Sequence, residues 1–437
     1  MKRILCLYLI LTSWIWASDQ IPAAPQSQPI LIKGGILHTV SHGVMDGYDL
    51  LFEKGKITRI DKNIPTTNEM EIISASGKHL YPGLIAGISA LGLVEISAVR
   101  ATIDYDEVGD MTPEVRANVS YNPDSESIPV TRSNGVLFVN VVPRGGLIPG
   151  QSSLMMMDGW TWEDATLHHP TAMHINWPDM SIDLNPKAKV KVSEQEAQRR
   201  QRVKDLDDLL DQVRRYEMSQ KGTSKDAAHD LRMEALIPYV NGEKPFFIHA
   251  WESRQIEAAV RWSKKQQLKI VIVGGGDAGE LTGLLKESQI PVIIEGTLRL
   301  PRRRNSNYSE SYSLPARLYE AGVDFCISTD GSGFAAAQVR DLPNHAAMAA
   351  AFGLPLEVAL RSITLSAAEI LGVGDRIGSL DVGKEASLFI SSEDILEITS
   401  IVEQAFIHGT KTDMSDRHKN LYKKYQEKYK QLENIKD

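Results

Sequence analysis

The sequence predicts an α/β protein in which a large core of alternating strands and helices is inserted between two short sets of strands at the chain ends. Three observations predict it. Near-continuous apolar runs recur at 136–142, 172–176, 245–249, 270–273, 291–295 and 323–330. Helical patterns such as 254–266 and 279–288 separate them. Strand-like runs at 30–33, 48–53 and 56–61, and again at 386–391 and 401–408, are too few at either end to make a stable sheet alone.

Each element follows from these patterns. Strands that are apolar on both faces belong to a parallel sheet covered by helices. The inserted region suits a (β/α)8 TIM-like barrel, which takes ~250 residues and tolerates insertions. The terminal strands then assemble one small β-sandwich domain. The boundaries read 29–80 plus 376–412 for this composite domain, 81–375 for the barrel and 413–437 for a charged C-terminal helix. An open doubly wound sheet is the alternative. Its dinucleotide fingerprint is missing, because Gly274-Gly275-Gly276 lacks the spacing and Gly145-Gly146 has no following Gly-Lys-Ser/Thr. Val203, Leu206, Leu209, Leu210, Val213 and Tyr216 recur at helical spacing within 193–218, which reads as an amphipathic helix packed on the core.

Of the 437 residues, 42% are hydrophobic and 24% charged, which allows a large core or two domains. A net charge of -8 and a pI of about 5.8 leave no basic footprint for nucleic acid or an anionic membrane. Lys2 and Arg3 precede the apolar run 4–16, and Ala17 and Ser18 follow. This reads as a signal peptide over 1–18, too short to span a bilayer easily. Export is expected, to the periplasm in a Gram-negative source, with no stable membrane insertion after signal removal. Ile15 and Trp16 stand where cleavage favours small residues, so an uncleaved anchor is the alternative. Removing the leader takes Cys6 and leaves Cys326 alone, without an intramolecular disulfide. An oxidising compartment then requires Cys326 to be buried.

Tyr81-Pro82-Gly83-Leu84-Ile85 resembles the first barrel strand of the amidohydrolase superfamily, where a PGLID-x-H-x-H run supplies two metal-binding histidines. Here Ala86 stands at the aspartate position, and Ile88 and Ala90 stand at the histidine positions. Residues 322–330, ending in Asp330, look like that family's last barrel strand with its catalytic aspartate. Gly353-Leu354-Pro355, Ile363-Thr364, 367–372 and 376–384 follow in the family's order. The resemblance covers nearly all of the chain after the leader and is closest to the exported imidazolonepropionase-like branch, some members of which are Xaa-Pro dipeptidase-like. The stretch 91–149 is similar to exported members that also lack the histidine pair. The resemblance implies hydrolysis of carbon–nitrogen bonds in non-peptide or cyclic amides, or in small peptides. It also implies a divalent metal that lowers the pKa of bound water towards ~7, with the terminal aspartate taking the water's proton.

In a parallel barrel the C-terminal strand ends hold the site. His249, Asp330 and Glu295 fall at such ends, and alternation puts His174 and Asn176 on one face and Cys326, Ser328 and Asp330 on another. Inward-pointing faces would bring His174, His249, Glu295 and Asp330 together. Catalytic zinc takes three protein ligands plus water. With the first-strand pair absent, and Gly274 and Gly275 where a further histidine usually stands, the expected residual metal site, zinc foremost, is His249, Asp330 and His174, with Glu295 as a further candidate ligand. Asp330 is the expected catalytic residue, and Glu295, Glu95 and Arg100 the expected substrate contacts. The competing readings are structural. The histidines could cap backbone groups, Asp330 before Gly331 could be a turn residue, and Glu295 could pair with Arg299 or the Arg302-Arg303-Arg304 cluster. The loop 301–308 reads as a basic lid or as a solvated loop. His168, His169 and His345 are not expected as ligands. Two functions stay open, an amidohydrolase-like hydrolase with a remodelled metal site and a catalytically inactive binding protein of the periplasm. In the second, Glu95, Arg100, Asp104 and Glu107 form a polar rim. Both take a small-molecule substrate or ligand, and a homo-oligomer stays open. A docking role for the 193–218 helix has least support, since packing explains it.

Overall fold

The computed structural model describes residues 20–434, apart from 186, 188 and 222–228. The expected leader 1–18, with Cys6, lies outside the described residues. Among those described, no helix is long and apolar enough to cross a membrane.

Strands from both chain ends meet in one eight-stranded sheet. Its order is Thr410–Thr412, Val402–Ile407, Leu388–Ser391, His79–Pro82, Ile30–His38, Val44–Glu53 and Lys56–Asp61, with Glu71–Ser74 also pairing to Ile30–His38. The two ends join where Phe389 lies opposite Tyr81 and Ile390 opposite Leu80, in antiparallel register. Burial explains the joining: Leu37, Leu50, Phe52, Leu80, Leu388, Ile390 and Phe406 form a single apolar cluster that neither end could close alone. In hydrogen-bonding terms the strands expected to form a sandwich make this one sheet.

The strands between them are the fully apolar runs of the sequence. Met173–Asn176, Phe246–Ala250, Ile270–Gly274, Val292–Glu295 and Phe325–Ser328 lie side by side and parallel, with short Gly150–Gln151 antiparallel at the edge. A second sheet pairs Leu84–Ser89 parallel to Val136–Val141, then Ser153–Met156 and Thr166–His168. Helices Ser253–Gln266, Thr282–Glu287 and Glu310–Ala321 alternate with the parallel strands. Ser253–Gln266 starts at a capping box between Glu252 and Gln255 and buries Ile256, Ala259, Val260 and Trp262. The long helix Val192–Gln220 buries Leu206, Leu209, Leu210 and Val213, so its apolar stripe is core packing.

The two parallel sheets touch at Ser328 and Ile88. Ser328 Oγ accepts the Ile88 N–H at 3.0 Å and donates to the Ile88 carbonyl at 3.1 Å. A side chain thus satisfies backbone groups that a strand ladder would otherwise take. Gly87 permits the approach, because a Cβ there would stand 3.3 Å from both Cys326 Sγ and Ile293 Cγ2. Cys326 is fully buried and its thiol pKa is pushed up by that burial. Ser328→Ala would strand two buried backbone groups and is expected to lower unfolding free energy by roughly 1–3 kcal/mol. Urea denaturation measures this, and an unchanged midpoint would contradict the seam.

Candidate functional site

His174 and His249 sit on adjacent parallel strands whose register sets His174 beside Phe247 and Asn176 beside His249. Their facing nitrogens, His174 Nδ1 and His249 Nε2, are 2.8 Å apart. His174 is fully buried, packs edge-on to Phe247, and leaves its Nε2 without a partner. Burial holds both rings neutral. It drives His174 well below the usual histidine range, helped by His249 and Arg144, and drives His249 to about 3, helped by Arg144. A neutral pair shares one proton in this bond, so one ring donates and the other accepts.

Glu295 ends the strand Val292–Glu295 with only 4% of its surface exposed, and its Oε1 has no partner. Burial, then the charge of Asp330, raises its pKa to about 7, against the opposing pull of Arg144, Arg299 and the Trp251 indole. Asp330 lies just beyond Phe325–Ser328. Its Oδ1 accepts the Ser332 N–H at 2.7 Å, and its Oδ2 accepts Arg299 Nη2 at 2.7 Å. Arg299 Nε donates to the Glu295 carbonyl oxygen at 2.7 Å, and its guanidinium lies 4.5 Å from the Trp251 ring centre. The expected Glu295–Arg299 pairing is therefore made through the backbone, while the guanidinium takes Asp330. Asp330 does form a turn bond, alongside that ion pair.

Arg144 was not foreseen. It follows the strand Val136–Val141 in the turn Pro143-Arg144-Gly145-Gly146. Asn176 Nδ2 holds the turn by donating to the carbonyls of Gly145 at 3.1 Å and Gly146 at 2.8 Å. Arg144 Nη2 and Glu295 Oε1 each lie 3.6 Å from where a Cβ on Gly331 would stand. The signal in the sequence was a lone cation in a glycine turn at the end of a parallel strand.

Other expected residues make contacts of their own. Glu95 accepts from Ser125 Oγ at 3.0 Å and Asn122 Nδ2 at 3.2 Å, and Arg100 donates to the Ile103 carbonyl at 2.8 Å. Among the described residues no hydrogen bond or ion pair joins either to the histidines or to Asp330. Of the basic loop, Arg302 faces Glu252 at 3.7 Å and Arg303 grips both oxygens of Asp277 at 2.9 and 2.6 Å. His345 Nδ1 accepts the Thr297 and Leu298 N–H groups, and His169 Nδ1 bonds Ser153 Oγ, so both are structural.

The donor set does not suit a divalent ion. His174, His249 and Asp330 do not gather around one point. The histidine nitrogens face each other across a shared proton, both Asp330 oxygens are engaged, and two guanidinium groups flank the centre. Fully buried Ile88 and Ala90 add no ligand. Among the described residues, Asp277, Glu280 and Glu310 are the acidic group that could hold a metal ion, with ligand atoms within 4.8 Å of one another. There Asp277 already chelates Arg303.

The neutral histidines make a prediction. In the unfolded chain they take up protons near pH 6.5, whereas folded His249 does so only near 3. Stability is therefore lost as pH falls through this window. Urea denaturation should show a lower midpoint at pH 5 than at pH 7, with a smaller drop in His249→Gln. An equal drop in the variant would contradict the assignment.

Comparison with known proteins places this geometry. Residues 269–413, which include both Glu295 and Asp330, match the amidohydrolase family. The chain is 23% identical over 436 residues to amidohydrolase tasK of Hapsidospora irregularis, covering 92% of this chain and 43% of that one. It spans less than half the length of the curated relatives it matches. An amidohydrolase of Thermotoga maritima MSB8 superposes with a TM-score of 0.76 at 25% identity, over 87% of this chain and 99% of that one. A prolidase complexed with N-methylphosphonate-L-proline shares the fold, with a TM-score of 0.52 at 14% identity over 88% and 99% of the two chains.

Proposed function

We propose that this chain hydrolyses a carbon–nitrogen bond in a small amide, non-peptide or cyclic or within a small peptide, with Glu295 as the proton carrier. The parallel strands are taken as a (β/α)8 barrel carrying a split β-domain, in an exported protein of the imidazolonepropionase-like branch. The apolar leader 1–18 supports export, and the amidohydrolase match over 269–413 supports the reaction class.

One observation carries the reading. Glu295 is a buried strand-end carboxyl with a free oxygen and a pKa near 7, the range in which a group exchanges protons most effectively at neutral pH. As carboxylate it removes a proton from the water that attacks the carbonyl carbon. As the acid it returns that proton to the leaving nitrogen. The water adds a C–O bond, the C–N bond breaks, and the proton ends on the amine. Asp330, pinned by Arg299 and the Ser332 N–H, raises the proton affinity of Glu295. The neutral histidine pair forms a polar wall that does not compete for the proton. No step is routed through a metal, because the residues here do not fit one.

The test is turnover of N-acyl amino acids, cyclic amides and Xaa-Pro dipeptides by purified protein. Glu295→Gln should lower kcat/KM by about 100-fold or more, and wild-type turnover in this variant would overturn the role. Asp330→Asn should move the acid limb of the rate profile to lower pH, since it removes the charge that raises Glu295. Stability gives an independent check. A pKa raised from 4.5 to about 7 means that the folded chain loses stability as pH rises through that window. Glu295→Gln should then be more stable than wild type at pH 8, by on the order of 2 kcal/mol, with the gain vanishing near pH 5.

A second reading, a non-catalytic fold that binds a small molecule, is favoured by Ile88 and Ala90 at the histidine positions. Ligand-dependent stabilisation without turnover by the same panel would favour it.

A further inference from the structure

Arg144 is half-buried, yet among the described residues its guanidinium makes no hydrogen bond or ion pair. Comparable arginines are all engaged. Arg132 meets Asp158 at 3.4 Å, Arg299 meets Asp330 at 2.7 Å, and Arg376 meets Glu385 at 2.7 Å. A partly exposed guanidinium held at a polar centre with no protein acceptor keeps its N–H donors open to an acceptor that arrives from outside.

We propose that Arg144 receives the carboxylate of the bound small molecule, so that this site takes organic monoanions. This deepens the hydrolase reading and rests on it for where the molecule sits. The turn is built for the task. Asn176 fixes the Gly145 and Gly146 carbonyls and so fixes the direction in which Arg144 leaves the strand. A side chain on Gly331 would stand beside both Arg144 Nη2 and Glu295 Oε1, each 3.6 Å from its Cβ. A carboxylate on Arg144 therefore sets the rest of the molecule beside the proton carrier.

The obvious alternative is that Arg144 is the counterion of Glu295. A counterion would close to ion-pair distance, and no such pair forms. A guanidinium offers a carboxylate two parallel N–H donors, a fit that a point charge lacks. A phosphate dianion suits the place poorly. Arg299, the other cation, is already held by Asp330, and the two carboxyl groups beside the space would repel the second charge.

Binding rather than turnover tests this, by calorimetry and thermal shift on the full chain at pH 7.5. The probes are acetate, benzoate and N-acetylglycine, with N-acetylglycinamide as the neutral twin of the last. Wild type should bind N-acetylglycine at least about tenfold more tightly than its amide. Arg144→Met should erase the difference and Arg144→Lys should keep part of it. Gly331→Ala keeps the charge but fills the adjoining space, and should weaken the acid several-fold. Arg302→Met, on the outer loop, should leave the preference intact. Equal binding of acid and amide, a preference that survives Arg144→Met, a preference lost with Arg302→Met, or no acid bound at high millimolar concentration would each overturn the proposal. Carboxylate preference without turnover of any amide would retain this site and remove the hydrolase reading. Turnover without carboxylate preference would do the reverse.

Discussion

Arg299 makes the contact on which the centre depends. One nitrogen fixes the backbone of Glu295 at the end of its strand, another holds the Asp330 carboxylate, and the plane lies on Trp251. Two adjacent strand ends are thereby locked together by one rigid fork. Burial is the main cause of the raised Glu295 pKa, and the same contact shapes what the neighbouring charges add to it. With Asp330 shared between Arg299 and the Ser332 N–H, its charge still reaches Glu295, but against two guanidinium groups. The balance leaves Glu295 near neutrality rather than permanently charged or permanently protonated.

The scaffold explains why these groups meet. Parallel strands buried on both faces can carry polar side chains chiefly at their ends, where the backbone turns away. The seam between the two sheets is closed by Ser328 against Ile88, whose side chain is fully buried as an apolar packing group. An added Cβ on Gly331 would lie 3.3 Å from the Ile88 side chain, beside the Glu295 and Arg144 atoms. Apolar packing from Ile88 and the Arg144 and Glu295 side-chain ends thus meet around the Gly331 position.

Much of this was legible in the sequence. Apolar run length and the alternation of side chains located the strands, with Glu295 at the end of one, Asp330 just beyond another and His174 and His249 within neighbouring ones. The pairing of His174 with His249 follows once their strands are neighbours, which a period-two pattern cannot fix by itself. The choices among partners were not legible. Arg299 could reach either acid, and only the three-dimensional turn sends its guanidinium to Asp330. Arg144 stayed hidden because an arginine in a Pro-Arg-Gly-Gly turn has the composition of a solvated loop. Its significance comes from what it lacks, an acceptor, and a sequence does not display that. Glu95 and Arg100 follow a strand as polar residues, and the sequence does not display the partners they take within their own loop region.

The central claim is that Glu295 holds its proton into the neutral range. The direct measurement is a 13C NMR pH titration of chain labelled at the glutamate side-chain carboxyl, with Glu295→Gln identifying the resonance. The account predicts a midpoint near 7 for that single carboxyl. A midpoint near the ordinary glutamate value of about 4.3 would contradict it and leave the centre without its proton carrier.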